Sequence, residues 1–355
     1  MFQELIETVI VNISTVRSII QTNDRLREII FSKSPIIEQE SKENTELILL
    51  RQVVPSTTDW RVYDHCAVVT RLYAIYESFV EDLVTDWILY LPEIFPCYSD
   101  LAEEIRGTHQ IGVAQLLQEL KKKKSRFAHL SVEEVIRGLF FGVAGGESKY
   151  DLVPDAFLLH DQNLRKEALE KLFANAGIQS AWNWVEKHRD IRLFVEEVLG
   201  SENTAEGELN ELISYRNDAA HSAVIDNVLG SSTLLELCNF VEVLCQALAE
   251  LVTYQVIERK KLIGRARAIG RITRWFTDIQ ATRAKVKEAT LSVGESIFLV
   301  SDTKACCKLV KIENIRIIED GQEVNKEQVK ITTEIEIGLK FDIEARKGLL
   351  LYLVE

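Results

Sequence analysis

Chain breakers are scarce in this sequence: five prolines and sixteen glycines in 355 residues. So few of them favour long, uninterrupted helices. The cysteines form no framework either. Cys66, Cys97, Cys238, Cys245, Cys306 and Cys307 contain no CxxC pair, which excludes a disulfide scaffold and a zinc site and predicts reduced thiols. Positive charge is in deficit, with 42 Lys and Arg against 55 Asp and Glu and a formal net charge of −13. That balance excludes wholesale coating of nucleic acid or a membrane surface, while leaving room for a local basic site. No secretory leader is expected, since Glu4 and Glu7 stand where basic residues would be needed,. No run of about eighteen apolar residues occurs. A cytoplasmic protein with no membrane partner is expected. No cluster of His, Asp and Glu has metal-ligand spacing, so neither metal nor cofactor is expected.

What remains is ordinary material for a globular core: 46% hydrophobic and 27% charged residues, enough chain for two domains. Along residues 2–31, Leu5, Ile6, Val9, Ile13, Val16 and Ile20 recur at steps of three and four, the signature of an amphipathic helix. A shorter helix is expected from Thr45 to Val54, closed by Pro55. "STTDW" supplies cap residues for a long helix from Trp60 to Leu91 with a wide apolar stripe, which Pro92 is expected to end,. Ile111 to Leu120 reads as a helix before the charge run "KKKKSR". Ser131 and Glu134 form a capping box for a helix with a stop at Gly142,. Leu164–Ala174, Ile191–Val198, 208–222 and 232–258 complete an all-α region, with "IQSAWNWVEKH" as a spacer and Trp182 and Trp184 as apolar anchors.

The composition then changes. Residues 259–287 carry ten Lys or Arg and one acidic residue, Asp278. Beyond them the hydrophobic period falls to two, clearest in "VKITTEIEI", and "IIEDGQEV" and "ARKGLLLYLV" supply turns,. The expected class is α+β in several domains: a large helical bundle over 1–258, a basic helical connector over 259–288, and a small antiparallel β-barrel over 289–355.

The stretch "SYRNDAAHSAV" (214–224) carries the chemistry. Asn217 and His221 lie four residues apart, hence on one helix face. Arg216 sits about 100° around the helix with a side chain long enough to reach the same side. A fixed cation, an amide and a titratable imidazole suit RNA cleavage through the 2′-hydroxyl. That reaction moves a proton near neutral pH and builds negative charge on phosphorus. Spacing alone is weak, because a surface ion pair and a helix cap would produce the same letters.

"RNDAAH", placed late in an all-α region between long apolar helices, resembles the signature of the HEPN superfamily. "DHCAVVTRLYAIYESFVEDLV" (64–84) is similar to the core helix of a HEPN-like nuclease subfamily common in cyanobacteria. The resemblance covers roughly residues 1–258. It implies metal-independent cleavage to 2′,3′-cyclic phosphate and 5′-hydroxyl ends, with Arg216, Asn217 and His221 as the catalytic set. It further implies a homodimer whose two motifs face one cleft. By the same analogy the setting is a toxin or anti-phage defence system, with an antitoxin or defence protein as partner.

Asp218, Glu77 and Arg71 are candidate supports, Glu77 as a group that could orient Arg216 or His221; structural salt bridges would account for them equally. His65 reads as a cap or packed residue, and His109, His129, His160 and His188 have no assignable partner. Arg267, Arg271 and Arg274, followed by Trp275 and Phe276, form a basic stripe that suits RNA phosphates or, alternatively, the chain's own acidic body. The C-terminal unit is similar to a translation-factor-type β-barrel, a module for structured RNA such as tRNA or rRNA, or for a protein. The alternative to an enzyme is a non-catalytic protein holding RNA or nucleotide in the same cleft. A third reading makes the barrel the functional part and the helices a dimerisation unit.

Overall fold

In the computed structural model, which describes residues 2–31, 49–122, 126–144, 150–159, 162–200, 203–222, 224–319 and 322–355, the hydrophobic periods become helices that pack along their apolar stripes. Helix α1 (Gln3–Phe31) buries Ile6, Val9, Ile13, Val16 and Ile20. Helix α2 (Thr57–Ile94) starts at Ser56, whose hydroxyl accepts the Asp59 amide at 3.1 Å. Pro92 does not end it. The Phe95 amide still reaches the Leu91 carbonyl at 2.9 Å, and burial of Leu91 and Ile94 holds the last turn together. Of the helix expected at 45–54, residues 49–53 are helical and 45–48 lie outside the described residues.

Helix α3 (Glu103–Glu119) begins well before Ile111. Its first-turn acids Glu103 and Glu104 suit the helix dipole, and Ile105 and His109 are buried. Helix α4 (Val132–Ala144) shows the capping box: the Glu134 amide donates to Ser131 Oγ at 3.1 Å, and the Ser131 amide to Glu134 Oε2 at 2.8 Å. It runs on past Gly142. Helices α5 (Lys166–Asn175), α6 (Ala181–Lys187) and α7 (Arg189–Phe194) follow, the last continuing as a π-turn over Val195–Leu199. The expected spacer is thus α6, organised by burial of Trp182 and Trp184; Trp184 stacks on Tyr254 at 5.0 Å. Helices α8 (Ala205–His221) and α9 (Ser231–Leu262) complete the body. Helix α9 alone among the described residues is long and apolar enough to cross a membrane, yet 72% of that apolar window is buried inside the protein. It is the core helix, packed on α1 and α2.

The C-terminal unit comprises β1 (Ala266–Phe276), β2 (Ala281–Val286), β3 (Ala289–Ser292), β4 (Ser296–Ser301), β5 (Cys306–Glu319), β6 (Gln322–Lys326), β7 (Gln328–Ile331), β8 (Ile335–Phe341) and β9 (Leu350–Val354). Strands run in the order β4–β9–β1–β2–β8–β5 and close by pairing β5 with β4, while β6 extends β5 and β3 pairs with β7. All pairings are antiparallel.

The basic helical connector is therefore corrected. Its residues form β1 and β2, and the barrel begins at Ala266, not at 289. Without these strands β9 and β8 would present open edges. The Arg spacing imitates a helix because β1 contains two register shifts, at 268/270 and 272/274. These bulges keep Ile269 and Ile272 inside and Arg267, Arg271 and Arg274 outside,. Gly270 is required there, since a Cβ would stand 2.2 Å from the Lys285 carbonyl oxygen. "VKITTEIEI" is also two strands, β7 and β8, which pair with different partners. The turn residues Asp320 and Gly321 lie outside the described residues, flanked by the Glu319–Gln322 pair.

The barrel interior is one core, containing Ile269, Leu299, Ile312, Ile337 and Leu351. Ala266, Phe298, Val300, Cys307 and Tyr352, on its outer wall, belong instead to the core of the helical body. Helix α9 therefore serves both units.

Candidate active site

Helix α8 is started by Thr204, whose hydroxyl accepts the Gly207 amide at 3.0 Å, and anchored by buried Leu209, Leu212 and Ile213. It packs against α2, and its last two turns carry the motif. The Ser222 amide closes the end on the Asp218 carbonyl at 2.8 Å.

Arg216 is half-buried. Its guanidinium lies 5.0 Å over the Tyr73 ring, and Nη1 donates to Asn217 Oδ1 at 3.0 Å. Arg216 thus does swing to the Asn217 side. Asn163, in the loop before α5, donates to the same Oδ1 at 3.1 Å. With that oxygen doubly engaged, the Asn217 amide nitrogen is the group left to donate outward. His221 is exposed on the last helical turn, on the same face as Asn217,. Among the described residues no hydrogen bond ties it to Arg216 or Asn217.

The Tyr73 hydroxyl donates to Glu77 Oε1 at 2.9 Å and accepts the Leu164 amide at 3.0 Å. Burial pushes the phenol well above its ordinary value; the Leu164 amide pulls it down, Glu77 raises it further, and Arg216 opposes. The phenol therefore stays protonated and acts by position, holding the guanidinium over its face. Among the described residues, Glu77 is linked to Arg216 through Tyr73. Arg71 is not brought to the site: its Nη2 donates to Asn12 of α1 at 2.8 Å. Asp218 is exposed, and its charge acts on His65. Burial lowers the His65 imidazole and Asp218 partly offsets this. His65 is a packed residue, fully buried, accepting the Leu229 amide at 3.3 Å and meeting Tyr215 edge-on.

Of the remaining histidines, His109 is buried between Tyr98 and the Val153 amide. His129 lies 3.2 Å from Asp155 and His188 lies 3.4 Å from Glu250; His160 lies outside the described residues. The six thiols are free, and burial pushes that of Cys306 up to about 12. Among the described residues no group of three or more His, Cys, Asp or Glu is placed to hold a metal ion.

A second polar surface lies on the outer wall of the barrel. Arg271 stands opposite Lys285, and Arg274 opposite Arg283, like-charged pairs that weaken a sheet. Arg274 and Arg283 both cover the Phe276 ring, at 4.7 and 5.7 Å. Glu336 and Glu334 of β8 and the loop before it reach Arg283 and Lys285 only at 4.0 Å each. Arg267 bonds the Glu288 carbonyl.

Neither Asn163 nor the platform role of Tyr73 is marked by the sequence. Tyr73 lies two residues from Arg71 on a recognisable helix, so its position was visible though its contact was not. Asn163 lies 54 residues before Asn217 in a loop, and no periodic signal marks it.

A profile of the RiboL-PSP-HEPN family matches residues 20–254, nearly all of the helical body and none of the barrel. No curated protein and no solved structure matches the chain. Domains of this kind are generally RNase or nucleotide-binding modules. With the all-α body and the R-x4-H segment on α8, that match assigns the chain to the HEPN superfamily, in its RiboL-PSP-HEPN family.

Proposed function

We propose that the protein is a metal-independent endoribonuclease that cuts RNA through the 2′-hydroxyl. The observation that carries this reading is the fixed Arg216 guanidinium, held on Tyr73 and Asn217, with exposed His221 one turn further along the same helix. His221 takes the proton of the 2′-hydroxyl, whose oxygen attacks phosphorus. Arg216 and the Asn217 amide nitrogen stabilise the charge that builds on the phosphorane oxygens. The 5′-oxygen leaves with a proton, giving 2′,3′-cyclic phosphate and 5′-hydroxyl ends. One imidazole cannot act as base and acid on opposite sides of the same phosphorus. A homodimer with two facing motifs supplies the second.

Arg267, Arg271 and Arg274 hold phosphates of the substrate, tRNA or rRNA, on the barrel wall. Like-charged neighbours there, only loosely paired with Glu334 and Glu336 at 4.0 Å, support this, because a polyanion relieves their repulsion. By family analogy the protein works in the cytoplasm in a toxin or anti-phage defence system, restrained by an antitoxin or defence partner.

Incubating total RNA with wild type and His221→Ala in the presence of EDTA tests the proposal. Wild type yields cyclic-phosphate ends and His221→Ala does not. Equal cutting by both, or none by wild type, overturns it. Binding without cutting would establish the alternative of a non-catalytic RNA- or nucleotide-binding cleft, which the engagement of Arg216 within its own chain favours. Full activity in a monomer at high dilution would remove the shared cleft.

A further inference from the structure

A hollow with walls from both units lies away from the α8 motif. A cavity of about 500 Å³ opens where α6 and α7 meet the barrel, and no residue of α8 lines it. Its walls come from both units: Lys187, Arg189 and Arg192 from the helical side, and Lys304, Lys308 and Arg346 from the barrel. Four carboxylates accompany these six cations, those of Glu186, Glu196, Glu250 and Glu344. On a chain of net charge −13, the cavity reverses the overall sign.

The carboxylates do not saturate the cations. Glu344 is shared between Arg189 at 2.8 Å and Arg346 at 3.9 Å, and Arg192 pairs with Glu196 at 3.3 Å. Lys187 and Lys304 have no carboxylate partner among the described residues, and Lys304 Nζ donates to the Lys347 carbonyl at 2.6 Å. Glu250 is consumed internally. It accepts Gln246 Nε2 at 3.1 Å and the Cys307 amide at 3.0 Å, with Lys308 at 3.6 Å and His188 at 3.4 Å. Burial would lower the Lys308 ammonium, but Glu250 and Asp190 outweigh it and raise it above its ordinary value.

A second observation is independent of this charge count. His188, 1% exposed, belongs to the lining, and its Nδ1 is buried with no partner among the described residues. Arg189 Nε is in the same condition. Buried polar groups of a settled fold are normally paired, and these two unpaired ones stand side by side in the wall of a cationic cavity. A volume of this size falls within the range of small-molecule sites, about 300–1,000 Å³, which favour domain junctions.

We propose that this interdomain cavity binds a small phosphate-bearing molecule. The phosphate meets Lys187, Lys304 and Arg346, and the rest of the ligand lies along Leu193 and Leu349. Because the cations come from both sides of the seam, the bound molecule ties the barrel to the helical body.

The test is calorimetric titration and thermal unfolding of the full chain with inorganic phosphate, pyrophosphate and ADP. Wild type binds at least one of them at one site per chain, with a rise in Tm. Lys187→Glu and Lys304→Glu, both at exposed positions, each weaken that binding tenfold or more and leave the Tm of the free protein unchanged. His221→Ala binds as wild type does, so failure of the nuclease reading leaves this result intact. Tighter binding of ADP than of pyrophosphate names a nucleotide as the source, and equal binding names the phosphate group alone. No binding of any probe at millimolar concentration, or binding indifferent to both lysine variants, overturns the proposal.

Discussion

Two polar clusters in this molecule are built on opposite plans. On α8, Arg216 and Asn217 are tied to each other, to Tyr73 and to Asn163, while His221 stands exposed. In the seam, Glu250 is 2% exposed and receives donors from its own helix, from His188 and from β5. A buried carboxylate persists only when fully paired, so the seam holds the fold. His221, the proton-transfer group of the proposed reaction, stands in solvent where a substrate can reach it. Activity and stability should therefore separate cleanly between the two.

The largest expected effect is on the motif side. His221→Ala lowers RNA cleavage by about 10²- to 10⁴-fold and leaves Tm unchanged in a thermal scan; a fall of several degrees would place His221 in the fold and blur the distinction. Next comes the seam. Glu250→Ala takes the buried acceptor away from the Cys307 amide and leaves Lys308 with Asp190 alone, destabilising the chain by about 1–3 kcal/mol in urea unfolding. A loss below about 1 kcal/mol, the scale of a surface pair, would show that the seam holds little.

A third buried group extends the contrast to acid. Burial brings the His109 imidazole down to about 4, and the Val153 amide occupies its Nε2 at 3.1 Å. The unfolded ring takes a proton below about 6.5. The contribution is therefore complete above that pH and is lost as pH falls towards 4, by about 3 kcal/mol in total. His109→Gln should flatten stability across this window, measured by unfolding at several pH values. The smallest effect belongs to the barrel wall. Reversing Arg267, Arg271 and Arg274 to Glu reduces the salt slope of RNA binding by about 2, with Tm unchanged or slightly raised as like-charged cross-strand neighbours are relieved. An unaltered slope would make the stripe purely structural.

Much of this was legible beforehand. The long apolar helices, the Ser131–Glu134 capping box, the closing strand β9 and the α8 motif all follow from spacing along one element. The basic stripe misled because two bulges let a strand present arginines at helical intervals. Helix α6 was missed because seven residues are too few to establish a period, and its two tryptophans needed α9 as a surface. Arg71 and Glu77 lie on the same helix, yet α1 claims the first and Tyr73 the second.

By itself, then, the sequence determined the long helices, the β-rich character of the C-terminal region and which residue types share the α8 face, because backbone periodicity and capping are local. Tertiary structure decided which polar groups meet. Asn163 reaches Asn217 across 54 residues, Lys308 reaches Asp190 across 118, and the barrel closes through β1. These contacts depend on how elements pack, and no local pattern encodes that geometry.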